Sequence, residues 1–328
     1  MRIFVAGATG AVGRRLLPML VEAGHEVVGT TSTPAKARGD LVVVDLLDRD
    51  AVIDAVEEAE PDVVVHEATA LAGMKSLRRF ERVFAQTNRL RTEGTDNLLE
   101  AARRAGVERV VAQSYAGWAN GPGGPAVHTE DDPLDPDPPA QLRTTLAAIL
   151  YLEDAVVDAG GLALRYGGLY GPGTGIEPDG PWVETLRKRQ FPVVGDGGGV
   201  WSWLHVEDAA AATALAIERG ATGVYNIVDD DPAPVREWLP YLAEVMGAPP
   251  PRHFPVWLGR LVAGEHGVAM MTAVRGSSNA KAKRELGWQP LYPSWRDGFA
   301  AVFGASRAAD HGSPGVPTES SGSPSKAA

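Results

Sequence analysis

Arg2-Ile3-Phe4-Val5-Ala6-Gly7-Ala8-Thr9-Gly10-Ala11-Val12-Gly13-Arg14-Arg15-Leu16-Leu17 is the stretch on which the reading of this sequence turns. Residues 3–6, after Arg2, are β-branched, aromatic and apolar, which predicts a buried strand over 2–6; from Ala11 to Ala23 the apolar positions recur at helical spacing. Between them, Gly7, Gly10 and Gly13 allow a tight turn, close approach of the backbone to a pyrophosphate, and close packing of helix on strand, with the anion at the helix N-terminus. A glycine triplet alone is weak evidence. One that follows a strand and opens a helix has the context a dinucleotide site requires.

Outward from this unit, short β-branched runs at 26–30, 41–44, 62–67, 109–113 and 162–165 alternate with helical patterns at 51–59, 80–105 and 141–159. That alternation predicts an α/β fold, a Rossmann-type doubly wound parallel sheet. Gly and Pro punctuation after Arg165 predicts a division into a dinucleotide-binding domain (1–165), a mainly substrate-binding lobe (166–304) and a disordered tail (305–328) rich in Ser, Pro, Gly and Ala.

Composition removes several classes of function. With 31 Lys plus Arg against 42 Asp plus Glu, the net charge of −11 opposes nucleic acid and anionic membrane. Cysteine is absent, which excludes disulfides, thiolate catalysis and Cys-ligated metals, and no His/Asp/Glu spacing suggests a metal site. No apolar run is long enough to span a membrane, and the N-terminus opens directly into a strand, so a cytoplasmic location is expected.

The second predicted strand ends in Thr30-Thr31-Ser32-Thr33, followed by Lys36 and Arg38, where an NAD-preferring site would place an acidic residue. Hydroxyls from Thr31 and Ser32 with nearby cations suit a 2′-phosphate, so NADP(H) is the expected cofactor and NAD(H) the alternative. Asp45 is placed either to accept from the adenine amino group or to cap its own loop.

Gly7-x-x-Gly10-x-x-Gly13, Asp45-Leu46 and His66-Glu67-Ala68-Thr69-Ala70 together resemble the extended short-chain dehydrogenase/reductase family, also called the NAD-dependent epimerase/dehydratase family. Gly94-Thr95-x-Asn97-Leu98-Leu99, Thr129-Glu130-Asp131-Asp132, Arg165-Tyr166-x-x-x-Tyr170-Gly171-Pro172-Gly173, His205-Val206-Glu207-Asp208 and Glu285-Leu286-Gly287-Trp288 extend the resemblance over about residues 1 to 303. It implies a nicotinamide cofactor held by Gly7, Thr9, Gly10, Ala11, Val12, Gly13, Thr31, Ser32, Lys36, Arg38, Asp45, Leu46, Ala68, Thr69, Ala70, Gln113, Tyr166, Gly168 and Leu169. It further implies a catalytic serine, matched by Ser114, a Tyr-x-x-x-Lys pair on the helix before Glu153, and a homodimer through helices 80–105 and 141–159.

The pair is missing. Counting back from Glu153 places Ile149 at the lysine position and Thr145 at the tyrosine position. No shift of register restores it, because the sequence has no lysine between Lys75 and Lys188. Two further departures concern the substrate. Trp201 stands where nucleotide-sugar members carry a phosphate-gripping arginine, and an indole suits an aromatic ligand better than a diphosphate. Arg91 replaces the asparagine usual three residues before Gly94-Thr95.

Hydride delivery to a ketone leaves an alkoxide that must be protonated or stabilised. Without the pair, Ser114 and Thr145 are the candidates to hold the oxygen, Tyr115 is the candidate donor if its strand has ended, and water or an acidic phenol on the substrate are the other proton sources. Trp118, Trp182, Trp201 and His205 are candidate substrate contacts; His128 is weaker. The expectation is an atypical NADPH-dependent ketoreductase of an aromatic or polycyclic substrate, similar to atypical reductases of polyketide biosynthesis. The alternatives are a nucleotide-sugar epimerase or dehydratase, and a non-catalytic NADP(H)-binding redox sensor.

Overall fold

The computed structural model describes residues 1–39, 41–71, 80–118 and 120–310, with side chains described as far as residue 304. Seven strands, β1 (Arg2–Ala6), β2 (Glu26–Thr31), β3 (Val42–Val43), β4 (Val63–His66), β5 (Arg109–Tyr115), β6 (Leu162–Tyr166) and β7 (Gly223–Ile227), form one sheet in the order β7-β6-β5-β4-β1-β2-β3. Every pairing in it is parallel. The helices are α1 (Gly13–Glu22), α2 (Arg49–Ala59), α3 (Phe80–Arg89), α4 (Thr95–Arg104), α5 (Ala140–Asp158), α6 (Pro181–Arg187), α7 (Val206–Glu218), α8 (Val235–Val245), α9 (Val256–Thr272), α10 (Ala280–Leu286) and α11 (Trp295–Asp310).

Strand alternation sorts the core into two layers. Ile3, Val5, Val63, Val65 and Val111 face α1 and α7, whereas Phe4, Val64 and Val110 face α2 and α4. Each such buried side chain contributes about 1.5–3 kcal/mol, enough in sum to fix the register of the parallel strands. Chain order reverses between β1 and β4, and the crevice at their carboxyl ends is where an open α/β sheet binds its ligand.

The structure departs from the sequence reading in three places. The expected helix 80–105 is broken by a π turn at Leu90–Gly94, so that α3 and α4 present different faces to the sheet. The lobe after Arg165 is interrupted: α7 and β7 return to the large sheet, and β7 pairs with β6. Finally, α11 runs to Asp310, since Ala305, Ser306, Arg307, Ala308 and Ala309 contain no helix breaker; the rest of the expected tail, 311–328, lies outside the described residues.

The smaller lobe is built from short pairings, including Gly168–Tyr170 with Trp203–His205 and Val200–Trp201 with Ala233–Pro234, around a core of Tyr170, Trp203, Trp238 and Phe299. Among the described residues, no helix is long and apolar enough to cross a membrane.

Candidate active site

The loop after β1 is shaped by close backbone contact. Gly7 adopts φ 91°, and a Cβ there would lie 2.6 Å from the carbonyl carbon of Glu67 at the end of β4. A Cβ on Gly13 would lie 2.5 Å from the Gly7 oxygen, so α1 starts tight against the loop. No side chain caps α1, which leaves the amides around Ala11, Val12 and Gly13 as a cradle for an anion. These features fit a dinucleotide pyrophosphate.

Beside the loop a cavity of about 730 Å³ opens between α1 and β2. Thr9, Arg14, Lys36 and Arg38 line its polar side, Leu17, Val21 and Leu41 its apolar side, and among the described residues no acidic side chain borders it. Arg14 Nε donates to the Thr9 carbonyl at 2.9 Å, which holds the guanidinium beside the loop. The site thus offers three cations, of which the sequence reading missed Arg14; the signal was its position directly after the third glycine.

The other expected cofactor residues are tied into the fold by contacts of their own. The Thr31 hydroxyl is buried between Thr9 Oγ1, at 3.1 Å, and the Thr33 amide, at 3.2 Å, whereas Ser32 is exposed. The exposed Asp45 carboxylate accepts from the Leu47 amide at 3.0 Å, the loop-capping alternative, and the buried Leu46 passes its carbonyl to Asn97. Ala68, Thr69 and Ala70 continue from β4 beside Gly7, with the Ala70 amide bonded to Thr87 Oγ1 at 3.1 Å. Half-buried Gln113 lies on β5, and Gly168 and Leu169 pair with Trp203 and Leu204.

Tyr166 is completely buried. Its ring lies in the core between the sheet and α7, and its hydroxyl donates to Glu67 Oε1 at 2.7 Å and bonds Thr213, so it does not point toward the crevice. Burial pushes the Glu67 carboxyl up to about 8, against the bonds from Tyr166 and Thr213.

At the far side of the crevice, α5 and β5 bring the other expected residues together. The Ser114 hydroxyl is buried and donates to Glu153 Oε1 at 2.5 Å; Glu153 in turn pairs with Arg165 at 2.8 and 2.6 Å. Thr145 Oγ1 accepts from Asn88 Nδ2 at 3.0 Å and is completely buried. One turn on, Ile149 is fully buried among Phe80, Phe84, Trp118 and Met270. The volume that a lysine would occupy is filled by hydrocarbon and aromatic rings.

Tyr115, which ends β5, packs edge-on against Trp118 with ring centroids 4.7 Å apart. Burial pushes its hydroxyl up to about 12, while the Arg91 guanidinium pulls the other way. Tyr115, Ala116, Gly117, Trp201, Ser202 and Met270 border one narrow gap. The Trp201 indole is half-buried and donates to the Met270 carbonyl at 2.8 Å, so it braces this gap instead of offering a charged grip.

Trp182 packs within the smaller lobe against Phe191, and among the described residues none of its ring contacts joins the Tyr115 cluster. His205 is also buried. Its Nδ1 accepts from the Glu207 amide at 3.2 Å and caps α7, its ring lies against Tyr292, and burial, with Arg15 nearby, drops it to about 4. It is therefore a neutral structural cap at neutral pH. His128 Nε2 bonds the Gly123 carbonyl at 3.0 Å, a loop contact.

Three comparisons place this geometry among known proteins. The NAD dependent epimerase/dehydratase family profile matches residues 3–228. A Streptomyces 3-diazoavenalumate denitrifying reductase is 46% identical over 91% of this chain and 99% of its own length. A Stigmatella aurantiaca 4-hydroxy-2-methyl-3-oxo-4-farnesyl-3,4-dihydroquinoline-1-oxide ketoreductase is 29% identical over 75% of this chain and 74% of its length. Among solved structures, the Thermus thermophilus UDP-glucose 4-epimerase in complex with NAD aligns with TM-score 0.69 at 27% identity, covering 94% of this chain and all 100% of that one.

Proposed function

The chain belongs to the NAD-dependent epimerase/dehydratase family and is an NAD(P)-dependent oxidoreductase, and from that premise we propose that it is an NADPH-dependent reductase of aromatic substrates that works without a tyrosine–lysine acid. One observation carries the reading. The positions of that pair are taken by Thr145, bonded to Asn88, and by Ile149, sealed in an aromatic cluster. A substrate for such a site must be reducible without a proton relayed from α5.

A bound dihydronicotinamide supplies hydride; the chain supplies the rest. The glycine loop and the N-terminus of α1 hold the pyrophosphate, and Arg14, Lys36 and Arg38 take the 2′-phosphate, which favours NADPH over NADH. Tyr115, Trp118 and Trp201 give the substrate side an aromatic lining. Trp201, already committed to Met270, provides no cation for a nucleotide-sugar diphosphate.

The substrate class that meets the proton requirement best is an aryl diazo compound bearing an adjacent oxygen, and the relative at 46% identity supports it. Hydride joins the terminal nitrogen of the diazonium form with its electron pair, N₂ departs, and the same hydrogen ends on the ring carbon, so no proton is drawn from the protein. The second reading is the ketone of an aromatic or polycyclic substrate, favoured by the ketoreductase relative and by Tyr115 at the gap. There the alkoxide takes its proton from water or from a neighbouring phenol.

The test is NADPH oxidation by purified protein against a 2-diazophenol, an aromatic ketone, a quinone and UDP-glucose, with N₂ measured alongside. The expected result is oxidation with the diazophenol and equimolar N₂ release. Epimerisation of UDP-glucose, or tight NADPH binding with no turnover of any compound, overturns the proposal in favour of an epimerase or a sensor.

A further inference from the structure

Arg91 lies in the π turn Leu90–Gly94, which packs against α5 and is tied to the carboxyl end of β4 by a 3.2 Å contact between His66 Nε2 and the Leu90 carbonyl. The turn therefore sets Arg91 beside α5 and the end of β4, within electrostatic reach of Tyr115 at the end of β5. The side chain is 4% exposed, and its Nε and Nη1 find no acceptor among the described residues. An unpaired buried charge of this kind is normally strongly destabilising.

The neighbours do not neutralise it by bonding. Glu153 on α5 is engaged by Arg165 and Ser114. His66 on β4 uses Nε2 on Leu90 and Nδ1 on the Ala68 amide, and burial holds it neutral. Tyr115 on β5 is within electrostatic reach but carries no charge at neutral pH. Burial lowers Arg91 to about 10, so it stays protonated.

We propose that Arg91 is the oxyanion-holding residue of the site: its unpaired N–H groups take the substrate oxygen on which negative charge gathers as hydride arrives. The inference rests on the reductase reading above and serves both of its substrate classes. In a ketone, the hydride pair forms the new C–H bond and the C=O π pair moves onto oxygen. In a diazophenol, the neutral zwitterion is shared with its quinone diazide form, so the ring oxygen starts with only part of a negative charge; hydride capture by the diazo group turns it into a full phenolate, which remains after N₂ has left. In each case a guanidinium with free donors meets an oxygen more negative at the transition state than before it, which is the condition for catalysis. Arg91 would thus do, by binding the oxygen, part of what the missing pair does by protonating it.

The probe is p-nitrophenol, whose ionisation is read directly from its absorbance, titrated onto the NADP⁺-loaded full chain and onto Arg91→Met, Arg91→Gln and Arg91→Lys. Wild type is expected to bind the phenolate in preference to the phenol, and Arg91→Met and Arg91→Gln to lose about ten- to a hundredfold of that preference, while Arg91→Lys keeps part of it. With a reducible substrate, Arg91→Met lowers kcat by about 10²–10³ and leaves the KM for NADPH unchanged. If Arg91→Met does not fold, the contrast between Lys and Gln decides. Equal phenolate preference in Gln, Lys and wild type overturns the assignment even if the enzyme reduces aromatics. Arg91-dependent phenolate binding without turnover of any panel compound supports the assignment and overturns the reductase reading alone.

Discussion

The glycine loop and the β5–α5 corner lie at the carboxyl edge of the same sheet, yet they hold their shape by different means. The loop is set by backbone contact: at Gly7 and Gly13 a single added carbon would strike main-chain atoms. The corner is set by side chains that fill one another's space, with Ile149 among Phe80, Phe84 and Trp118, Thr145 on Asn88, and Ser114 on Glu153. A loop of the first kind tolerates almost no change of residue. A corner of the second kind can exchange its chemistry while the fold stays, provided the volume is refilled.

The harshest test of this contrast puts the usual pair back. Thr145→Tyr with Ile149→Lys forces an ammonium into an aromatic cluster without a carboxylate partner and leaves Asn88 unbonded. A loss of about 3–5 kcal/mol in unfolding free energy is expected, read from urea denaturation. A double variant as stable as wild type would mean that the corner retains room for the pair and that its loss has no packing consequence.

What was legible in the sequence follows the same division. The strand–loop–helix unit and the parallel sheet could be read because they rest on local spacing and on glycines whose need is steric. The corner could be read only as an absence. That Lys was missing was plain from the sequence, but that Ile149 is sealed by Phe80 and Trp118 depends on contacts between segments far apart in the chain. The burial of Arg91 was hidden for a related reason, since the π turn that carries it interrupts a pattern that reads as one continuous helix. Tyr166 and His205 were expected at ligands because their motif carries them, yet partners supplied by α7, the Thr213 hydroxyl and the Glu207 amide, claim them for the scaffold.

On the loop side, the cations at the cavity mouth stand on exposed chain, so they can be removed without a folding cost. Lys36→Ala with Arg38→Ala is expected to weaken NADPH binding by about ten- to a hundredfold and to leave NADH binding within about twofold, as measured by calorimetry. Equal losses for both cofactors would show that these residues shape the cavity instead of reading the 2′-phosphate.

Glu67 joins the two regions, for its backbone meets Gly7 and its carboxyl is buried under the sheet. Folding raises this acid from 4.5 to about 8, so the folded chain keeps a proton that the unfolded chain releases. Its contribution to stability is full below about pH 4.5 and is lost as pH rises toward 8, about 2 kcal/mol of it between pH 6 and 8. Asp229, also raised to about 8 by burial, acts in the same direction. His66 and His205, both lowered to about 4, act at the other end, where stability is lost as pH falls from 6.5. Glu67→Gln should flatten the slope of Tm between pH 6 and 8; an unchanged slope would assign it to Asp229 or to groups elsewhere.

The smallest expected effect separates the two accounts of the corner most finely. Family resemblance makes Ser114 the holder of the substrate oxygen; the structure gives its hydroxyl to a carboxylate that already pairs with Arg165. As a strut, Ser114 contributes one buried hydrogen bond, and Ser114→Ala should cost about 1 kcal/mol of stability and change kcat by less than about twofold. As an oxyanion donor, it would cost about 10²–10³ in kcat with little loss of stability. The strut is the expected outcome, because a hydroxyl has one proton to donate and Glu153 receives it. The charge on the substrate oxygen is then left to a group with donors to spare, and at this corner the unpaired N–H groups of Arg91 meet that condition.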